Sequence, residues 1–200
     1  MSYSDLHLSE SIEIIKKIDK EQVEEIVNIL LEIKNSKSRI FFLGVGGSAA
    51  NCSHAVNDFR KILDIESYTP TDNVAELTAR INDHGWNSTF TEWLKVCKLN
   101  SNDLLFVFSV GGGDKEKNIS LNIVEALDYG KKIGCKIVGV VGRNGGFTAK
   151  VSTACVIIPT VNKETITPHT EAFQALIWHL IVSHPKLKKN QTKWESISNK

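Results

Sequence analysis

Between Lys20 and Lys34 the residues Val23, Ile26, Val27, Ile29, Leu30 and Ile33 form one apolar stripe on an otherwise charged segment. That spacing predicts an amphipathic helix, with a shorter one ahead of it from Leu8 to Ile18. The pattern then changes to short, nearly unbroken apolar runs at Arg39–Leu43, Leu104–Phe108, Lys136–Val141 and Cys155–Ile158. Such runs read as strands buried on both faces, as in a parallel sheet, and Ser67–Pro70 is read as another strand. Helical patterns fill the intervals, from Ser48 to about Leu63, Asn73–Arg80, Asn87–Lys98, Ser120–Ile133, Phe147–Val151 and Thr167–Ser183. Thr167 is expected as the N-cap of the last, with Pro168 at the first helical position, where its missing N–H costs nothing.

Strands alternating with helices predict an α/β fold. The expected architecture is a three-layer sandwich of flavodoxin-like type, a five-stranded mostly parallel sheet flanked by helices. No fixed-period repeat or low-complexity block interrupts the chain. One domain is expected over residues 1–200, with N-terminal helices over 8–35, a core over 38–184 and a polar tail over 185–200.

Composition narrows the function. A net charge of +1 gives no basic excess to neutralise a nucleic-acid backbone. The basic cluster Lys186, Lys188, Lys189 and Lys193 reads as a solvated tail. No apolar run approaches the ~20 residues of a membrane span, and no signal-peptide pattern is visible at the start. The four cysteines (Cys52, Cys97, Cys135, Cys155) have no metal-type or disulfide-type spacing, so reduced thiols in the cytoplasm are expected. Cys52 falls in an early helical turn that would favour thiolate, but inert packing is the simpler reading.

Two glycine-rich turns follow predicted strands: Gly44-Val45-Gly46-Gly47-Ser48 and Ser109-Val110-Gly111-Gly112-Gly113. Backbone N–H groups freed of side chains, with a helix N-terminus behind them, make an anion cradle. Two such loops at strand ends suit a phosphorylated small molecule. His54 and Asp58 are four apart on the helix after the first loop and share a face, as a metal site, an acid–base pair or a solvated polar pair would. The last helix carries Glu171, Gln174 and His179. Glu171 and His179 are about 12 Å apart along a continuous helix, so they reach one metal only with side chains extended toward each other.

The order GxGGSxxxxxHxxxD, the strand leading to Ser109, Ser120-Leu121-Asn122, Gly142-Arg143-Asn144-Gly145-Gly146 and a C-terminal E-x7-H helix resembles the SIS (sugar isomerase) domain from about Glu21 to His184. Within that family it is most similar to the phosphoheptose isomerases, which convert sedoheptulose 7-phosphate to a heptose 7-phosphate through an enediol. The resemblance implies that Gly46, Gly47, Ser48, Ser109, Gly111, Gly112 and Ser120 hold the phosphate, and that Asn82 and Asp83 contact sugar hydroxyls. It makes Asp58 the general base, with Glu171 its competitor and His179 the acid. Some members hold zinc, which implies a site at His54, Asp58, Glu171 and His179. It also implies a homotetramer with sites at subunit boundaries, and no nucleotide cofactor.

The sequence departs from the family pattern in four places. Val45 replaces the usual asparagine of the first loop, and Gly111 stands where another serine is common. The second loop carries an extra stretch, Gly113 to Asn118, whose Lys115 or Lys117 offers charge for a phosphate, although simple solvation is the plainer reading for lysines in a charged loop. Finally, Asp58 replaces the usual glutamate and Glu171 the usual glutamine. Three other readings are an isomerase for a different sugar phosphate, a non-catalytic phosphosugar-binding module and a nucleotide-dependent oxidoreductase. The last is disfavoured because the loop is GxGGS rather than GxGxxG.

Overall fold

A computed structural model describes residues 1–197. The strands β1 (Ile40–Leu43), β2 (Ser67–Tyr68), β3 (Leu104–Ser109), β4 (Lys136–Val141) and β5 (Ala154–Ile157) form one wholly parallel sheet in the order β2-β1-β3-β4-β5. The order reverses between β1 and β3, which pair with Phe42 opposite Phe106 and Leu43 opposite Val107. The loops leaving their carboxyl ends therefore lie side by side at the topological switch point, where ligands bind in such sheets.

Alternation along the strands builds two cores. Ile40, Phe42, Phe106, Phe108 and Val140 face helices α2 (Lys20–Asn35), α3 (Gly47–Asp58) and, later in the chain, α8 (Ile166–Ser183). Phe41, Leu43, Leu105, Val107 and Ile137 face the opposite layer. That layer holds α5 (Thr89–Val96), α6 (Leu121–Ile133) and α7 (Gly146–Val151). The side-chain period of two in a strand makes this division automatic. At the β5 edge, Cys155 N donates to Gln22 Oε1 of α2, which occupies a backbone donor that would otherwise be exposed.

Several boundaries differ from those the sequence predicts. Helix α1 runs Tyr3–Lys17 rather than from Leu8, because Ser2 and Asp5 cap it reciprocally, each side chain accepting the other's backbone N–H. Helix α4 (Val74–His84) is longer than expected and takes in Asn82 and Asp83. Helix α3 ends at Asp58 and passes into a π-helical turn over Phe59–Leu63 that keeps Phe59, Ile62 and Leu63 buried. Helix α8 begins at Ile166, so Thr165 is its N-cap and Thr167 lies inside the first turn. Thr165 spends its hydroxyl on Glu10 rather than on the helix. Pro168 still falls among the first-turn residues whose N–H groups have no intrahelical acceptor.

The tail is not simply solvated. Leu187 is buried, Lys34 Nζ donates to its carbonyl at 2.6 Å, and the N–H groups of Lys189 and Asn190 both reach Ile62 O. Lys189 pairs with Asp64. A short helix α9 (Lys193–Ser196) follows, and residues 198–200 of the expected tail lie outside the described residues. Among the described residues no helix is long and apolar enough to cross a membrane.

Candidate active site

The first glycine loop turns the chain from β1 into α3. Gly46, at φ 64° and ψ −130°, is the N-cap, no side chain caps the helix, and both Gly46 and Gly47 are exposed. The N-terminal N–H groups of a twelve-residue helix thus open on the switch point. Ser48 is buried, its Oγ accepting a hydrogen bond from Gln174 Nε2 at 3.1 Å, so its own O–H remains available to donate. Asn51 Nδ2 donates both to Gln174 Oε1 (2.8 Å) and to the Glu171 carbonyl (3.0 Å). These bonds fasten α8 alongside α3.

Further along the two helices, His54, Asp58 and His179 converge, with one ligand atom from each within 4.8 Å of the others. His54 Nε2 and His179 Nε2 each lie 3.5 Å from Asp58 Oδ2. Asp58 is 7% exposed, and both its oxygens have donors, Asn57 Nδ2 on Oδ1 and Trp178 Nε1 on Oδ2, each at 3.1 Å. The two imidazoles are about half exposed. His179 Nδ1 lies 2.8 Å from the Ala175 carbonyl, which can only accept, so Nδ1 carries the proton. In the neutral ring the bare Nε2 then faces the Asp58 oxygen. Two acceptors pointed at one another need a proton or a cation between them, and a histidine anchored by a backbone carbonyl is typical of a metal ligand. The donor set therefore fits a zinc ion with three protein ligands and an open position.

Trp178 fixes this group to the core. Its ring stacks on Phe108 (centroids 5.7 Å), and Phe108 and Phe42 both contact Phe106. Replacing Trp178 by Phe removes the donor to Asp58 and leaves a cavity. We expect a loss of about 2–4 kcal/mol in urea unfolding together with a fall in turnover; unchanged turnover would show that Asp58 needs no such anchor.

Glu171 stands apart from the cluster. A Cβ on Gly47 would meet the Glu171 carboxylate, so that carboxylate lies against the first loop. The implied four-residue ligand set is thus brought together as three.

The second loop is largely committed to its own framework. Gly112 N donates to Ser109 Oγ (3.0 Å), and Gly112 O accepts from Thr148 N and Oγ1. A Cβ on Gly112 would meet Gly145 O at 1.9 Å. Gly112 is buried and serves the packing of this loop on the Gly142–Gly146 turn, so its N–H is not free for a phosphate as the sequence suggests. Gly111 remains half open, with Arg143 beside it. Ser120, at φ 51°, begins α6 without capping it. The extra stretch folds on itself through paired backbone bonds between Asp114 and Ile119. Lys115 pairs with Asp128 and Lys117 with Asp114, so both are engaged with acids. Asn82 and Asp83 are exposed in the last turn of α4 and bond to each other (2.8 Å).

Three contributors were not assigned from the sequence. Asn51 shares a face with Ser48, His54 and Asp58, and helical spacing alone would have found it. Arg143 is exposed next to Gly111 and makes no ion pair among the described residues. Asn122, in the first turn of α6, is fully buried with both amide atoms unpartnered, which no sequence pattern signals. Cys52 is inert, because burial pushes its thiol far above the ordinary range. Burial likewise pushes Cys135 up to about 12 and Cys155 to about 11.

Residues 6–142 match the SIS domain family. The chain belongs to that family. It is 31% identical to a probable phosphoheptose isomerase of Thermoplasma volcanium over 90% of this chain and 91% of that one. A phosphoheptose isomerase of Aneurinibacillus thermoaerophilus is 29% identical, with 90% of each chain covered. In fold, this SIS domain superposes on a phosphoheptose isomerase structure from Neisseria gonorrhoeae with a TM-score of 0.78 at 21% identity, covering 90% of this chain and 96% of the other.

Proposed function

We propose that the chain is a sugar-phosphate aldose–ketose isomerase that converts sedoheptulose 7-phosphate to D-glycero-D-manno-heptose 7-phosphate. The observation that carries this reading is the meeting of Asp58 Oδ2 and His179 Nε2 at 3.5 Å, on helices that flank an anion cradle at the sheet's switch point. The names of the relatives supply the substrate.

The isomerisation moves one hydrogen between C1 and C2 and another between their oxygens. Asp58 takes a proton from C1, exchanges it with solvent and gives a proton to C2, its carboxylate aimed by Trp178 and Asn57. His179 Nε2 takes the proton from O1 and delivers it to O2. Both groups end as they began, so no oxidant is needed. A zinc ion held by His54, Asp58 and His179 would polarise the carbonyl and stabilise the enediolate. An Nε2 that holds a metal cannot also carry a proton, nor can a metal-bound Asp58 Oδ2 act as base, so the proton roles of both belong to the unloaded chain and their ligand roles to the loaded one.

The phosphate is held by Gly46, Gly47, Ser48 and Ser120, with Ser109 and Gly111 alongside and Arg143 supplying charge. Its binding energy orients the far end of the sugar over Asp58. Glu171 works against this, since its carboxylate lies against the same loop. Glu171→Gln is expected to lower KM for the phosphorylated sugar several-fold while changing kcat less than about threefold; a large fall in kcat would instead make Glu171 the base.

The whole chain acts as a single SIS domain in a homotetramer. Leu8, Ile12 and Ile15 leave an apolar face of α1 exposed, and α4 buries no residue of its own. These faces suit subunit boundaries, where Asn82 and Asp83 would meet the sugar. Four unpaired thiols suit the reducing cytoplasm.

The test is incubation with a panel of C5–C7 ketose phosphates, with Zn²⁺ and with chelator, watching for aldose by NMR. Aldose from sedoheptulose 7-phosphate is expected. No aldose from any of them would leave a sugar-phosphate-binding module without catalysis.

A further inference from the structure

A second cluster lies on the other flank of α8. His7 and Glu10, one turn apart on α1, meet His169 from the start of α8, with one ligand atom of each within 4.8 Å of the other two. Glu10 and His169 are 7% and 3% exposed. Glu10 Oε2 lies 2.8 Å from His169 Nε2 and accepts from Thr165 Oγ1 at 2.9 Å, while Oε1 accepts from Asn162 Nδ2 at 2.6 Å. The His7 and His169 rings stack at 4.2 Å with 20° between their planes. His7 Nδ1 is buried and has no hydrogen-bond partner.

We propose that His7, Glu10 and His169 form a second divalent-cation site, best suited to Zn²⁺, that clasps α1 to the start of α8. Two imidazoles and one carboxylate are a common three-ligand zinc set, with the fourth position left to water. Zinc bonds of about 2.0–2.1 Å put tetrahedral ligands roughly 3.3 Å apart. The Glu10–His169 pair is already closer than that, and His7, within 4.8 Å, must turn out of its stack on His169 to aim at the same point. Asn162 and Thr165 hold the carboxylate as outer-shell partners hold a metal-bound one.

A hydrogen-bonded network is the competing account, and it satisfies Glu10 completely. It leaves the buried His7 nitrogen unmatched, which is costly. A cation supplies that partner. His169 and Glu171 are two residues apart, or about 200° around the helix. One therefore faces α1 while the other faces the first glycine loop. An ion at the clasp fixes the helix that also carries Glu171, Gln174, Trp178 and His179. The site stands on its own residues, whatever the reaction.

The test uses the full chain carrying His54→Ala and His179→Gln, which removes the first cluster. Loaded with Zn²⁺ and desalted, it is expected to retain one equivalent per chain by elemental analysis and to melt at higher temperature than without zinc. Adding His7→Gln should abolish that equivalent and the shift, or raise Kd at least tenfold. His7 is partly exposed, so this variant should fold, as an unchanged melting temperature without zinc would verify. Glu10→Gln, of nearly the same shape, is the second variant, with the same loss expected. No zinc retained before His7 is changed, or zinc binding unaffected by either substitution, would overturn the proposal.

Discussion

Asp58→Asn is expected to lower kcat by about 10³-fold with little change in melting temperature. The substitution keeps the shape of the side chain, and the amide oxygen can still accept from Trp178 Nε1, now 3.1 Å from Oδ2. What it removes is the basic oxygen that both His54 and His179 approach at 3.5 Å. The rate loss should therefore appear in kcat rather than KM, because the phosphate cradle is untouched. Turnover of sedoheptulose 7-phosphate, followed by NMR beside a thermal melt, checks both halves. Activity within tenfold of the unmodified chain would move the base elsewhere, and Glu171 would be its replacement.

His179→Gln carries the second large effect, again a loss of about 10²–10⁴-fold in turnover. His179 is half exposed, and its Nδ1–H serves only the Ala175 carbonyl of its own helix, so the fold should not notice. Glutamine can still hydrogen-bond, but it does not exchange protons near neutral pH and is a poor zinc ligand. Both roles assigned to Nε2 disappear together, so the loss should be seen with Zn²⁺ and with chelator alike. A variant as active as the parent would remove His179 from the chemistry.

Much of this site could be read from the chain because its parts are local patterns. His54 and Asp58 share a face by their spacing of four, and the two glycine loops follow apolar runs that could only be buried strands. The adjacency of β1 and β3 then brings the loops together. What the sequence hid was set by tertiary contacts. Glu171 and His179 belong to one helix, yet Glu171 lies against Gly47 while His179 reaches Asp58, because α8 lies along α3 and each residue meets whatever is level with it. Gly112 looked like cradle and proved to be packing, since only the 142–146 turn decides which glycine of the loop is covered. Lys115 and Lys117 read as either solvated or phosphate-facing and are paired with acids, one of them on a different element. The capping of α1 by Ser2 and Asp5 was legible in principle, but aspartate in place of glutamate made the box easy to pass over.

Hydrogen exchange between solvent and the sugar's reacting carbons addresses the Asp58–His179 pair most directly. With sedoheptulose 7-phosphate in D₂O, deuterium should enter C2 of the aldose and C1 of the recovered ketose, and the His179→Gln chain should show neither. A chain that binds the sugar phosphate while its carbon-bound hydrogens stay unlabelled would contradict the assignment.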